Sequence, residues 1–253
     1  MSIDRFALTG KIALVTGASR GIGKAVALGF ANAGADVAIC SRKLENVEPV
    51  AGEIEKLGRQ AFASAADVSN REDIERFVSE TLTKFGQIDI LVNNVARSIM
   101  SPIMNLREDG WDKIMNTNLK SYFLFSQAVG QIMMGQGSGV IINVSSVAGQ
   151  KAAPLLGAYS VSKAGVDMLT KVLAKELAGV GVRVNAISPG MVETKFSEAI
   201  WSSPEMHAEV VRDIPLGRLA TTDEIVGLAI FLASDAASYV TGTIVNIDGG
   251  SAT

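Results

Sequence analysis

Lys11-Ile-Ala-Leu-Val-Thr16-Gly17-Ala-Ser-Arg-Gly21-Ile-Gly23 is the stretch that decides the fold. Its first half is a short apolar run that reads as a buried strand. Its second half is a glycine turn, and Ile22 to Ala33 then read as a helix that Gly34 ends. A strand that passes through glycines into a helix is suited to phosphate. The glycines let the backbone turn sharply and a ligand approach closely, and the helix N-terminus offers free N–H groups to an anion. Two other motifs overlap the turn. Gly17-Ala-Ser19-Arg-Gly21 fits G-x-S-x-G, which would make Ser19 a hydrolase nucleophile with His207 as its base. A P-loop is excluded, because Ala18 stands where its first glycine belongs and Ala25 where Ser or Thr belongs.

The same grammar continues outward. Strand-like runs at Asp36 to Ser41, Gln60 to Ala65, Ile88 to Val92, Val140 to Val144, Val182 to Ile187 and Thr243 to Ile247 alternate with helical stretches. The helices are Lys43 to Leu57, Arg71 to Phe85, a long one over about Glu108 to Met133, Leu156 to Ala178 and Thr222 to Ala233. Continuous apolar strands are buried on both faces, as in a parallel sheet. The expected fold is α/β: a doubly wound parallel sheet of Rossmann type with helices on both faces, formed by residues 1–253 as a single domain. Met191 to Arg218 breaks the rhythm with Trp201, Met206, His207 and two prolines. It reads as a lobe, 191–218, inserted over one end of the sheet and covering the substrate.

Composition narrows the function. The 253 residues are 48% hydrophobic, too apolar for a disordered chain. Lys and Arg number 23 against 26 Asp and Glu, a net charge of −3, which speaks against nucleic acid as a partner. One cysteine, Cys40, excludes an internal disulfide, and with one histidine, His207, it cannot build the usual zinc sites, so no metal is expected. The longest apolar run, Ile225 to Ala233, is far short of a membrane span, and Met1 to Gly10 has no signal-like apolar region. The expectation is a soluble, cytoplasmic protein without a membrane partner.

A dinucleotide enzyme reads the adenosine ribose at the end of its second strand. An acid there accepts from the hydroxyls of NAD, and a basic residue pairs with the 2′-phosphate of NADP. Here the strand ends Ile39-Cys40-Ser41-Arg42-Lys43, and its only acid, Asp36, is at the start. Arg20 in the turn can reach the same phosphate. The expected cofactor is NADP(H), with Gly17, Ser19, Arg20, Gly21, Ile22, Gly23, Ser41 and Arg42 binding it. Further on, Tyr159-Ser-Val-Ser-Lys163 puts a phenol and an ammonium on one helix face. A cation there lowers the phenol pKa from about 10 and readies it to exchange a proton with a carbonyl or alcohol oxygen. With three tyrosines in the chain, chance gives roughly 0.14 such pairs, so this spacing needs the glycine turn beside it.

Taken together, these motifs resemble the short-chain dehydrogenase/reductases along nearly the whole chain, from about Leu8 to Gly250. They come in family order: the Thr16 to Gly23 turn, Asp67-Val68, Asn93-Asn94, Asn118, Ser146, Tyr159 with Lys163, and Pro189-Gly190. The resemblance implies hydride transfer between a nicotinamide and a small-molecule carbonyl or alcohol, with Tyr159 as the general acid/base. Ser146 would polarise the carbonyl. Lys163 would lower the Tyr159 pKa and hold the nicotinamide ribose, and Asn118 would hold a water that relays protons to Lys163. Asp67 and Val68 would contact adenine, Asn94 would support the cofactor, and Pro189, Gly190, Val192 and Thr194 would line the nicotinamide. It also implies a homotetramer packed through the helices at about 108–133 and 156–178 and the last strand. The sequence departs from the family at Asn93-Asn94-Val95-Ala96, where Asn-Asn-Ala-Gly is usual. A glycine needed there for positive φ would make Ala96 cost about 1 kcal/mol or more.

For the substrate, Arg97 to Met100, Val147 to Leu156 and the lobe residues Met191, Phe196, Ile200, Trp201 and Met206 suggest a pocket for an apolar ketone or aldehyde. Reductases of 3-oxoacyl groups on acyl carrier protein share every motif. The stretches where they dock the carrier, Met133 to Gly139 and Gly179 to Gly181 here, contain no Lys or Arg. A sugar or alcohol dehydrogenase, a non-catalytic cofactor sensor and the Ser19 hydrolase are the other readings.

Overall fold

Ile12–Thr16 is the inner strand β1, and all five of its residues are buried. The computed structural model describes residues 3–252. Along the chain follow α1 (Gly21–Asn32), β2 (Asp36–Ser41), α2 (Glu48–Lys56), β3 (Ala61–Ala65), α3 (Arg71–Phe85) and β4 (Ile90–Asn93). Then come α4 (Glu108–Met115), α5 (Ser121–Gln136), β5 (Gly139–Val144), α6 (Gly157–Leu177), β6 (Val182–Pro189), α7 (Glu198–Trp201), α8 (Pro204–Arg212), α9 (Thr222–Ala233) and β7 (Ile244–Ile247). The strands form one seven-stranded sheet in the order β3-β2-β1-β4-β5-β6-β7, parallel throughout. The chain starts in the middle, winds out to β3, and returns to place β4 on the other side of β1. At that reversal the loops leaving β1 and β4 part in opposite directions and open a crevice at the strands' C-terminal ends.

Period-two alternation builds a core on each face. Ala13 and Val15 of β1 pack with Phe30 of α1, Ile54 of α2 and Leu232 of α9. Leu14 points the other way, to Phe77 of α3, Phe125 of α5 and Leu177 of α6. Each fully buried side chain of this kind contributes roughly 1.5–3 kcal/mol. Under the crevice the interior turns polar. Asn93 and Asn143 are register partners on β4 and β5, and Asn93 Nδ2 donates to Asn143 Oδ1 at 2.9 Å. Asn143 Nδ2 donates to Thr170 Oγ1 of α6 at 2.9 Å, and Asn93 Nδ2 to Ser126 Oγ of α5 at 3.2 Å. This chain of amides fixes two helices to the strand ends that carry the site.

Three elements differ from the sequence reading. The helix expected over 43–57 is a 3-10 turn, Leu44–Asn46, followed by α2, because Pro49 can sit only in a first helical turn. The strand expected from Ile88 begins at Ile90, since the Ile88 N–H is taken by the Gln136 side chain. The long helix over 108–133 is interrupted by a five-residue π segment, Asn116–Lys120, between α4 and α5. The lobe 191–218 holds α7 and α8, and a bridge between Val192 and Ala220 closes its base. No helix among the described residues is long and apolar enough to cross a membrane.

Candidate active site

At the end of β1 the chain has room only for glycine. Gly17 has φ +67°, and a Cβ there would lie 2.7 Å from Val95 Cγ2. A Cβ on Gly23 would collide with Asn94 Nδ2 and the Gly17 carbonyl. Asn94 clamps this turn from β4: its N–H donates to Thr16 Oγ1 at 2.9 Å and its Nδ2 to the Thr16 and Gly17 carbonyls at 3.0 and 3.3 Å. Asn94 therefore holds the loop's shape. Helix α1 begins at Gly21 with no side-chain cap and no acid in its first turn, so its N-terminal field is not cancelled locally. Ala96 is not strained: Leu155 is the only non-glycine residue with positive φ among the described residues. The expected penalty at the departure from the family pattern is absent.

The adenosine end is basic. Lys43 is occupied by Glu45 at 3.2 Å, and Ser41 Oγ donates to the Lys43 carbonyl. The side chains of Arg20 and Arg42 are exposed and make no hydrogen bond or ion pair within the described chain. Both face the same cavity as Ser41. The Asp67 carboxylate accepts from the Ser69 N–H and hydroxyl at 2.9 and 2.7 Å, which sets the loop after β3, and Val68 is buried beside it.

At the other end Tyr159 and Lys163 lie one turn apart on α6, with 9% and 1% of their surface exposed. Tyr159 lies beside Ser146, whose Oγ accepts from the Ala148 N–H at 3.2 Å. Lys163 Nζ donates to the Val144 carbonyl at 2.6 Å and to Tyr122 Oη at 3.4 Å, and stands 5.7 Å from the Tyr159 ring centre. The expected lowering of the Tyr159 pKa is reversed here. Burial pushes the phenol up to about 12, with only the Ser146 hydroxyl opposing it. Burial also brings Lys163 down to about 7, with the Asp167 carboxylate opposing. A dry site penalises both charged forms, and a lysine near 7 is only partly charged at neutral pH.

Asn118 sits in the π segment, fully buried. Its Oδ1 accepts from the Arg97 N–H at 2.8 Å, and its Nδ2 donates to the Arg97 carbonyl at 2.8 Å and to Ser162 Oγ at 3.0 Å. Both amide donors are used. Its side chain thus joins the loop after β4 to α6. Tyr122, buried one turn further along α5, was not foreseen. Only its spacing of four from Asn118 hinted at a shared face.

A single cavity of about 920 Å³ joins the two ends. Every residue expected in the site lines it except Gly23 and Asn118, which lie behind the wall. Pro189, Gly190, Val192 and Thr194 line it where the end of β6 runs into the lobe. Met191 and Phe196 line it too, and the Phe196 ring lies 5.9 Å from that of Tyr159. Trp201 does not line it; its Nε1 donates to the Thr194 carbonyl at 2.9 Å and braces the lobe. Met206 and His207 lie outside the lining, so His207 does not share the cavity of Ser19. The side chain of Ile200 lies outside the described residues. Four cations line this end of the cavity: Arg97 and Lys151, in the stretches expected to form the pocket, Lys195, in the lobe, and Lys113, which was not expected there.

The chain is similar to known proteins along nearly its whole length. The family described as Enoyl-(Acyl carrier protein) reductase matches residues 17–252. The chain is 41% identical over 249 residues to the 2-dehydro-3-deoxy-D-gluconate 5-dehydrogenase of Pseudoalteromonas atlantica, covering 98% of each. It is 42% identical over 244 residues to the 3-oxoacyl-[acyl-carrier-protein] reductase of Thermotoga maritima, covering 96% of this chain and 98% of that one. The crystal structure of a gluconate 5-dehydrogenase from Burkholderia cenocepacia, in complex with NADP and tartrate, superposes with a TM-score of 0.95 at 36% identity, covering 98% of this chain and 97% of that one. The protein belongs to the short-chain dehydrogenase/reductase family.

Proposed function

We propose that this protein is an NADP(H)-dependent oxidoreductase that interconverts a small-molecule carbonyl and its alcohol, with Tyr159 as the general acid/base. One observation carries the reading: a single cavity runs from a glycine-only turn and two unpaired arginines to the buried Ser146, Tyr159 and Lys163. The residues present suit the cofactor. A side chain at Gly17 or Gly23 would fill the turn, and Arg20 and Arg42 offer two free guanidinium groups for a 2′-phosphate.

When bound, NADP(H) supplies the hydride donor or acceptor. Ser146 holds and polarises the substrate oxygen. Tyr159, kept protonated by its burial, donates its phenolic proton to that oxygen in reduction and takes it back in oxidation. Lys163, anchored by the Val144 carbonyl, faces the phenol and re-supplies its proton. The Asn118 main chain links Lys163 to solvent through water. In a cytoplasm that keeps NADPH reduced, the net direction is reduction. The oligomer is a homotetramer: Val161, Met168 and Val172 leave an apolar stripe exposed on α6, and Phe123 does so on α5. Sedimentation as a monomer at micromolar concentration would remove that part.

The test is a fluorescence titration with NADPH and with NADH, on the wild type and on Arg42→Ala. NADPH binds more tightly, and the variant loses about tenfold to hundredfold of that preference. Equal or tighter NADH binding overturns the cofactor assignment. An enoyl thioester consumed with NADPH while no ketone is consumed overturns the reaction assignment.

A further inference from the structure

The substrate end of the cavity carries more positive charge than a neutral ketone needs, and the charge is unevenly satisfied. Lys113 and Lys195 are already paired, with Asp109 at 2.9 Å and Glu198 at 3.0 Å. Lys151 reaches only a main-chain carbonyl, that of Ser251, at 3.5 Å. Arg97 is half-buried and its guanidinium makes no hydrogen bond or ion pair within the described chain. Asp213 is the one carboxylate lining this end, and it pairs with neither Arg97 nor Lys151.

Arg97 is also placed with care. The buried Asn118 amide holds its main-chain N–H and C=O from below, both at 2.8 Å. The segment it starts runs to Ser101, whose N–H donates to the Leu155 carbonyl at 2.9 Å, in the loop that links Ser146 to Tyr159. Arg97 therefore lines the stretch of cavity between the Asn94 clamp and the loop that links Ser146 to Tyr159. A guanidinium that lines a cavity and has no counter-ion among the described residues has its donors free for an incoming anion.

Resting on the cofactor reading above, we infer that the substrate is a ketone or alcohol bearing a small oxoanion, a carboxylate or a phosphate, which Arg97 pairs with and Lys151 supports. The planar guanidinium donates two parallel hydrogen bonds to such a group and so fixes which face of the carbonyl is presented.

The test uses the full-length protein saturated with NADPH, so that the nucleotide's own phosphate sites are filled. Malonate and inorganic phosphate are titrated in separately by calorimetry, on the wild type and on Arg97→Met, which keeps the side chain's bulk. The expected result is that at least one anion binds the wild type, and that Arg97→Met weakens it about tenfold to hundredfold while NADPH affinity stays within about twofold. Arg97→Lys recovers part of the loss. Malonate favoured over phosphate identifies the carboxylate, and the reverse identifies the phosphate. An anion that binds both proteins equally, or neither anion binding the wild type, overturns the inference. NADPH failing to bind at all is a different result, since it removes the cofactor reading itself.

Discussion

The two ends of the cavity are built from different materials. The nucleotide end is mostly main chain, the Gly17 to Gly23 turn, the N-terminus of α1 and an asparagine clamp that leaves no space for a Cβ, with Arg20 and Arg42 added at its adenosine side. The reacting end is side chain: Ser146, Tyr159 and Lys163, held over buried amides and roofed by a lobe that Trp201 braces. Main-chain sites tolerate almost no substitution but offer one function, binding. Side-chain sites can be changed one chemical role at a time. Breaking each end should therefore produce opposite defects.

The largest expected effect lies at the reacting end. Tyr159→Phe removes one oxygen from a residue 9% exposed and should lower kcat about 10²- to 10⁴-fold, the usual contribution of a positioned acid/base. The NADPH dissociation constant should change less than about threefold. Steady-state rates and a fluorescence titration on the same preparation check both. A variant that turns over within tenfold of the wild type would place the proton elsewhere.

The opposite defect comes from Gly23→Ala. Its new methyl group meets Asn94 and the Gly17 carbonyl, and neither is a flexible chain end that can swing away. Overpacking of this kind costs about 1–3 kcal/mol, and the strain falls on the loop that forms the phosphate site. NADPH affinity should fall about tenfold to hundredfold, with kcat at saturating NADPH little changed. Thermal melting without nucleotide separates this from general destabilisation. A drop in kcat with unchanged affinity would mean that the two ends are not independent.

This division also explains what could be read from the sequence. The first strand, its turn and the glycine requirement are local and steric, so Lys11 to Gly23 announces them. The Tyr159/Lys163 spacing is likewise local to one helix. What was hidden depends on partners distant in sequence. Arg42 and Lys43 look equivalent until Lys43 is found on Glu45 and Arg42 free. The helix periodicity through Asn118 conceals a π segment, because one extra residue in a turn leaves the apolar pattern nearly intact. Arg97 reads as a loop cation, and only the fold shows that its main chain is held by Asn118 while its side chain has no partner. The direction of the Tyr159 shift was misread because burial, which the spacing cannot report, outweighs the nearby lysine.

The smallest expected effect tests how the reacting end is tuned. Asp167 follows Lys163 by one turn of α6, and its Oδ1 is buried without a partner among the described residues. Burial brings Lys163 down to about 7 and the Asp167 charge resists that fall. Because the folded value lies below the ordinary lysine value of 10.5, the unfolded chain binds more protons between these two pH values. Lys163 therefore makes stability rise with pH across that window. Asp167→Asn withdraws the supporting charge, so the Lys163 pKa falls further and the lower edge of the window moves to lower pH. If the charged lysine is the active form, kcat/KM for NADPH, which reports on the free enzyme, declines as pH rises through about 7 in the wild type. In Asp167→Asn the decline should begin up to about one pH unit lower, because one nearby opposite charge is lost. A role in packing alone would lower the melting temperature and leave the two pH profiles superimposed. A limb displaced to higher pH would mean that the carboxylate acts on Tyr159 or Tyr122 and not on the lysine.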